Sequence, residues 1–158
     1  MTQTSLNGRE TVSKTHERIE LRGRLDSLNA RIILFQAHSD NEIFIADLEE
    51  IRGVVRTLQG LEASEKVFEG VLTLWGMNED EIHERSHNPQ KFYGKGHLFS
   101  FSHEAGREAS EINFLRTLVR ETELCACRAF NDNDTCRIIH ILNRLSSALY
   151  ILIYKYIN

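Results

Sequence analysis

ELRGRLDSLNARIILF, residues Glu20–Phe35, is the stretch that decides how the rest of the chain is read. Leu21, Leu25, Leu28, Ile32 and Phe35 recur at i, i+4, i+7, i+11 and i+14, the apolar stripe of a helix. Arg22, Asp26, Asn29 and Ile33 fall on another side of the same helix. The spacing repeats outward along the chain. Phe44, Leu48, Ile51, Val55 and Leu58 give a second helix, and Ser64–Trp75, with Val67, Val71 and Trp75 in register, a shorter third that Gly76 ends. Ile112, Leu115, Val119 and Thr122 give a fourth, and Ile138, Ile141, Leu145, Leu149 and Leu152 a fifth, with Asn131–Asp134 as the turn between them. The pattern fails from about Glu84 to His103, where Pro89, Gly94 and Gly96 stand among aromatic and histidine residues, so a long irregular connection is expected before the fourth helix. The run before Lys14 has no hydrophobic period and reads as a loop or arm. The expectation is an all-α fold, a five-helix up-and-down bundle.

A chain of 158 residues fits one domain, here 1–158, able to bury a core without disulfides or a structural metal. With 41% hydrophobic and 27% charged residues the composition is that of a soluble globular protein. The formal net charge of -4 argues against a nucleic-acid binder, so any anion site must be local. Cys125, Cys127 and Cys136 are an odd number with no secretory signal ahead of them, which points to a reducing cytoplasm rather than a disulfide framework. Ala148–Ile157, the most apolar stretch, is too short to span a bilayer and is interrupted by Lys155.

Arg116, Arg120, Glu123 and Cys127 share one side of the fourth helix, and Asn143 and Arg144 interrupt the apolar run of the fifth, where a charge must find a partner, water or a ligand. Three helices thus offer polar groups able to converge. The alternative is a set of solvated faces with surface ion pairs, each worth less than about 1 kcal/mol. His83, His87, His97 and His103 lie within 21 positions, but their spacings match no familiar zinc pattern. Surface or loop roles are the plainest reading, with a transition metal or a ligand contact as alternatives. Cys125 and Cys127, two apart on a helix, point in different directions and are expected to pack. Paired Glu-x-x-His motifs of a di-iron bundle are not found.

The order of the polar residues carries a family resemblance. Thr4-Ser5-Leu6, Gly8, Val12, Lys14, Arg18, Glu20, Gly23, Asp26 and Leu28-Asn29-Ala30 resemble the N-terminal signature of the propanediol-utilisation class of ATP:cob(I)alamin adenosyltransferases. Arg116 with Arg120-Glu121-Thr122-Glu123, and Leu142-Asn143-Arg144-Leu145-Ser146-Ser147, resemble two further motifs of that family in the same order. His16–Asn29, Ser86–Gly94 and the double serine Ser146-Ser147, where the propanediol class has an aspartate at the second position, are similar to the ethanolamine-utilisation branch of the superfamily.

The resemblance implies transfer of the 5′-deoxyadenosyl group of ATP to the cobalt of a corrinoid, cobalamin, with release of triphosphate. It assigns Thr4, Ser5 and Lys14 to a phosphate-binding arm, residues 1–14, and Arg120, Glu123, Asn143 and Arg144 to the nucleotide. Asp26 and Arg116 match a pair that bridges neighbouring subunits; if buried, loss of one partner costs roughly 3–5 kcal/mol. The competing reading of Asp26 is an intrahelical contact with Arg22. Phe99 and Phe101 lie near a phenylalanine that walls off the lower face of the corrinoid, where each gain of about 59 mV in the cobalt potential is tenfold in equilibrium. Simple packing of these rings is the alternative. Phe92 and Tyr93 are expected to line the corrinoid pocket. Catalytic weight falls on Arg116, Arg120, Asp26, Phe99 and Phe101, magnesium is expected on the phosphates, and no protein-held metal is assigned. The implied setting is a cytoplasmic homo-oligomer, a trimer by analogy, with sites between subunits. It would be served by a corrin reductase, feed an adenosylcobalamin-dependent lyase, and associate with a bacterial microcompartment. Two departures stand out: only Thr4–Gly8 remains of the glycine-rich loop that opens the propanediol class, and the middle region lacks the cysteines of a histidine–cysteine metal cluster. A non-catalytic ATP or adenosylcobalamin carrier is the rival function.

Overall fold

The stripe Leu21, Leu25, Leu28 and Ile32 is buried in helix α1 (Glu17–Ala37), and Phe44, Leu48, Ile51, Val55 and Leu58 are buried in α2 (Glu42–Ser64). Phe35, the last of the first stripe, sits at the rim of the core, edge-on to Phe114 at 6.2 Å. The computed structural model describes residues 2–8, 11–13, 16–64, 68–131 and 136–158. Two further long helices follow, α5 (Arg107–Ala129) and α6 (Arg137–Tyr156). α1 packs on α2 and α5, and α6 packs on α5 and α2, so the four long helices close a ring around one apolar core. Short connections join α1 to α2 and α5 to α6, which makes each pair antiparallel neighbours.

The all-α reading is right in its coarse form; the five-helix order needs correction. The expected helix over Ser64–Trp75 does not form among the described residues: Ser64 ends α2, and residues 68–73 are irregular. Val67 lies outside the described residues, and Val71, expected on the buried stripe, is 73% exposed. Trp75 and Gly76 both take positive φ, 50° and 77°, which reverses the chain in a tight turn closed by Leu74 and Met77. Two anchors hold that turn. The Trp75 backbone N–H donates to Glu50 at 2.9 Å, and its indole N–H to the Asp47 carbonyl at 3.3 Å.

The helix comes later than predicted, as α3 (Glu79–His87), and packs on the outside of α6. Asn78 starts it with a capping box: its side chain accepts from the Glu81 N–H at 2.9 Å, and Glu81 accepts from the Asn78 N–H at 3.3 Å. Pro89 then opens a short α4 (Pro89–Tyr93), which Gly94 ends at φ 71°. The irregular connection therefore covers only 94–102, not Glu84–His103. A further correction concerns the N-terminal arm, which is an antiparallel pair, β1 (Gln3–Ser5) and β2 (Thr11–Ser13), with Thr4 opposite Val12. Of the turn expected at Asn131–Asp134, Asn131 has a positive φ of 54°, and residues 132–134 lie outside the described residues.

Two buried acids fasten these pieces. Glu62 of α2, 1% exposed, accepts from Arg18 at 3.2 Å and from Arg22 at 2.8 Å. Arg22 also donates to the Ser5 and Leu6 carbonyls at 3.3 and 2.5 Å, which ties the hairpin side of the chain to α1. Asp47 accepts from Lys155 at 2.8 Å and Tyr156 at 2.5 Å, pinning the end of α6 to α2.

Candidate functional site

Arg120, Glu123 and Cys127 stand on one side of α5, and α6 faces them with Asn143 and Ser146; between the two helices lies a groove of about 400 Å³. Arg120 and Ser146 also line a second cavity of about 320 Å³, shared with Arg116, Ser147, Tyr150, Phe99 and Ser86. The two spaces are contiguous at Arg120. The helical period of α5 places Arg116 one turn before Arg120, so both guanidinia stand on the side of the helix that these two neighbouring spaces share.

The charges here are divided: Arg116 and Arg120 make one part cationic, while Glu121 and Glu123 line the groove beyond them. Arg116 is half-buried and donates to the neutral Asn113 Oδ1 at 3.0 Å. Burial, and next the positive charge of Arg120, lower the Arg116 pKa from its ordinary value. Neither arginine has a carboxylate within ion-pair distance among the described residues. A half-buried guanidinium with an exposed one a turn away favours an anion that can neutralise both. Glu123, on the same wall as Arg120, accepts from the Asn143 amide across the groove at 3.3 Å. Arg144 does not line the cleft. It turns behind Asn143, with Nη1 3.0 Å from His83 Nδ1 and 3.4 Å from Asn143 Oδ1.

Asp26 is elsewhere. It lines a groove of about 460 Å³ between α1 and α2, with Arg22, Gln59 and Glu62, that shares no residue with the α5–α6 cleft. Arg22 is committed to Glu62 and the hairpin carbonyls, so the competing intrahelical Arg22–Asp26 contact is not formed. Ser5 lies beside this groove, its hydroxyl accepting from the Gly8 N–H at 3.0 Å and its carbonyl from Arg22; Thr4 precedes it in β1. Lys14 lies outside the described residues.

The model of the cobalamin adenosyltransferase family matches residues 1–156. The chain belongs to that family. Among relatives of this cobalamin adenosyltransferase family member, the corrinoid adenosyltransferase EutT of Salmonella typhimurium strain LT2 is 34% identical over 156 residues, covering 96% of this chain and 57% of the relative. EutT of Escherichia coli strain K12 is 32% identical over 158 residues, with the same coverage. The chain thus spans 57% of the length of these two relatives. A PduO-type ATP:corrinoid adenosyltransferase from Lactobacillus reuteri, a phenylalanine-to-alanine variant solved with cobalamin and ATP, superposes with a TM-score of 0.74 at 17% identity. That match covers 98% of this chain and 88% of the other, and shows a shared fold.

In this cobalamin adenosyltransferase family member the four aromatic candidates separate. Phe99 is 93% exposed at the mouth of the Arg116 cavity, a large apolar ring standing in water. Phe101 is partly buried against the core and is engaged in packing. Tyr93 stacks on Tyr154 at 5.1 Å, and Phe92 lies under the cations of Arg85 and Lys91, each 5.0 Å from its ring.

Several residues around the cleft were not legible as candidates. Tyr150 accepts from the Leu98 N–H at 3.0 Å and lies 3.1 Å from His97 Nδ1, while Tyr154 donates to the Gly96 carbonyl at 2.8 Å. These two phenols hold the segment 96–98 that presents Phe99. Burial, followed by the Tyr150 hydrogen bond, raises the Tyr154 pKa far above the ordinary phenol value, so it remains an O–H donor. Their signal was a pair of tyrosines four apart in the apolar run that begins at Ala148.

Proposed function

We propose that this chain is an ATP:cob(I)alamin adenosyltransferase, moving the 5′-deoxyadenosyl group of ATP to the cobalt of a corrinoid with release of triphosphate. The observation that carries the reading is the cleft where Arg116 and Arg120, without carboxylate partners among the described residues, meet Glu123 and Asn143. Kinship with the EutT proteins supports it and suggests service in ethanolamine utilisation.

The cobalt of the reduced corrinoid is the nucleophile and attacks C5′; the bond from C5′ to the triphosphate oxygen breaks, and the electron pair leaves with triphosphate. Charge develops on that leaving oxygen, and Arg120 is the cation placed to receive it, with Arg116 one turn away adding positive potential. Asn143 and Glu123 offer an amide and a carboxylate at the other end of the cleft, suited to the ribose hydroxyls and base of a nucleotide. Thr4, Ser5 and Lys14 are the proposed phosphate arm. Magnesium would travel on the triphosphate and supply charge neutralisation; Glu123, half-buried on the groove wall, is a carboxylate able to meet its water shell. Phe99, and less directly Phe92, would cover an apolar face of the corrinoid and exclude water below the cobalt.

Asp26 lies in a groove distinct from that of Arg116, which fits an assembly in which Asp26 of one protomer pairs with Arg116 of the next. We assign the site to such an interface, in a homo-oligomer, with the trimer as the expected state. The test is spectroscopic. ATP, magnesium and chemically reduced cobalamin are supplied, and loss of the cob(I) absorbance is followed together with growth of a light-sensitive alkylcobalt product. Product above the protein-free control supports the reading; its absence, with ATP and corrinoid binding intact, leaves a carrier.

A further inference from the structure

Four polar side chains run in series from the surface of α3 to the α5–α6 cleft. His83 Nδ1 is 3.0 Å from Arg144 Nη1; that Nη1 is 3.4 Å from Asn143 Oδ1; and Asn143 Nδ2 donates to Glu123 Oε1 at 3.3 Å. A guanidinium has only donors, so His83 Nδ1 must be an unprotonated acceptor, with the ring proton on Nε2. The same logic fixes the amide of Asn143. Its oxygen takes the Arg144 proton and its NH₂ faces the Glu123 carboxylate; the flipped amide would set donor against donor and acceptor against acceptor.

His83 is itself held in place. His87 lies 4.2 Å away ring to ring, its Nδ1 is 2.9 Å from the His83 carbonyl, and the Ser86 hydroxyl donates to that carbonyl at 2.8 Å. Arg144 Nε is buried with no hydrogen-bond partner among the described residues, so the contacts of Nη1 are what tie the guanidinium down.

We propose that His83 is a positioning residue of the adenosyltransfer site: its neutral imidazole holds Arg144 and thereby sets which way the Asn143 amide faces the nucleotide. This rests on the adenosyltransferase reading. The groups facing the imidazole are Arg144 from α6 and His87 and Asp80 from its own helix; Glu79 nearby is taken up by Arg137. Partial desolvation comes first, then Arg144 and His87, in lowering the His83 pKa below its ordinary value, with Asp80 opposing. Protonation would put an imidazolium against a guanidinium and remove the acceptor. Nucleotide affinity is therefore full above about pH 6.5 and falls as pH drops through the lowered His83 pKa.

The experiment measures ATP binding to the full chain by calorimetry from about pH 5 to pH 8, with His83→Phe and His83→Asn beside the unsubstituted protein. Phenylalanine keeps a ring against His87 but offers no acceptor; asparagine restores an acceptor near Nδ1 and does not titrate. His83→Phe is expected to weaken ATP binding about tenfold at neutral pH, the loss of one hydrogen bond to a charged group. His83→Asn should bind within about twofold of the unsubstituted chain and lose the acid fall. Nitrogen NMR of the unsubstituted chain should show Nδ1 unprotonated at neutral pH. Unchanged affinity in His83→Phe, or an acid fall that survives in both variants, overturns the proposal. An unsubstituted chain that binds no ATP overturns the adenosyltransferase reading and this role with it, while the imidazole spectrum separately decides whether the Arg144 contact exists.

Discussion

Glu62 shows how much one side chain can carry. It continues the α2 stripe Ile51, Val55, Leu58, where the next apolar residue is due, and two arginines of α1 reach over to neutralise it. Glu62→Gln leaves two guanidinia facing a neutral amide inside the fold. The expected loss is about 3 kcal/mol of unfolding free energy, read from the urea midpoint at unchanged slope. At the cleft, Arg120→Ala removes the cation common to both cavities and should raise the KM for ATP by roughly ten- to a hundredfold, since a charge-assisted contact to phosphate is lost. Arg120, Glu123 and Asn143 were legible in the sequence because helical spacing and motif order both singled them out. The structure brings those three together. The sign of Glu62 in the sequence is a carboxylate falling on an apolar stripe, while His83 stands in the sequence as one of four histidines, because its partner Arg144 is 61 residues away.

The elements that the periodicity located are the four long helices, whose buried stripes are long enough to outweigh local irregularities. The misplaced third helix has a physical cause: Val71 and Trp75 keep a helical spacing, but Trp75 and Gly76 turn the chain with positive φ, and Asn78 offers a better start one step on. Asn78→Ala should therefore cost about 1 kcal/mol, visible as a lower thermal midpoint. α3 is also clipped to α6 by a two-pronged Glu79–Arg137 pair, 2.7 and 2.8 Å, and the hydrogen bond from Arg137 is the main reason the Glu79 pKa is lowered. A depressed folded-state carboxyl contributes stability above its unfolded pKa of about 4.3 and loses it as pH falls through the folded value. Glu79→Gln should flatten that part of the pH dependence of the thermal midpoint while lowering stability at neutral pH. The segment 96–98 depends on two phenols in the same way: Tyr150→Phe removes the acceptor for the Leu98 N–H, so amide exchange at Leu98 should speed up while the core of α6 is unaffected.

Across the whole molecule the core was legible and the relation between its surfaces was not, because helical spacing says which residues share a side of one helix and nothing about which side of the bundle that becomes. Asp26 is expected to meet Arg116 of a neighbouring subunit, and within one chain the two lie in separate grooves. If neighbouring protomers supply the two halves, Asp26→Ala should lower activity and the assembled mass together in sedimentation, whereas Arg120→Ala lowers activity alone. In such an assembly the separation of the two grooves would also make the protein divisible in a genetic sense. A chain spoiled only at Asp26 still offers a sound arginine cleft, and a chain spoiled only at Arg120 still offers a sound acidic groove. Co-folding these two crippled strains of the protein would rebuild intact seams wherever the good halves meet, and a mixture of two dead preparations would come back to life.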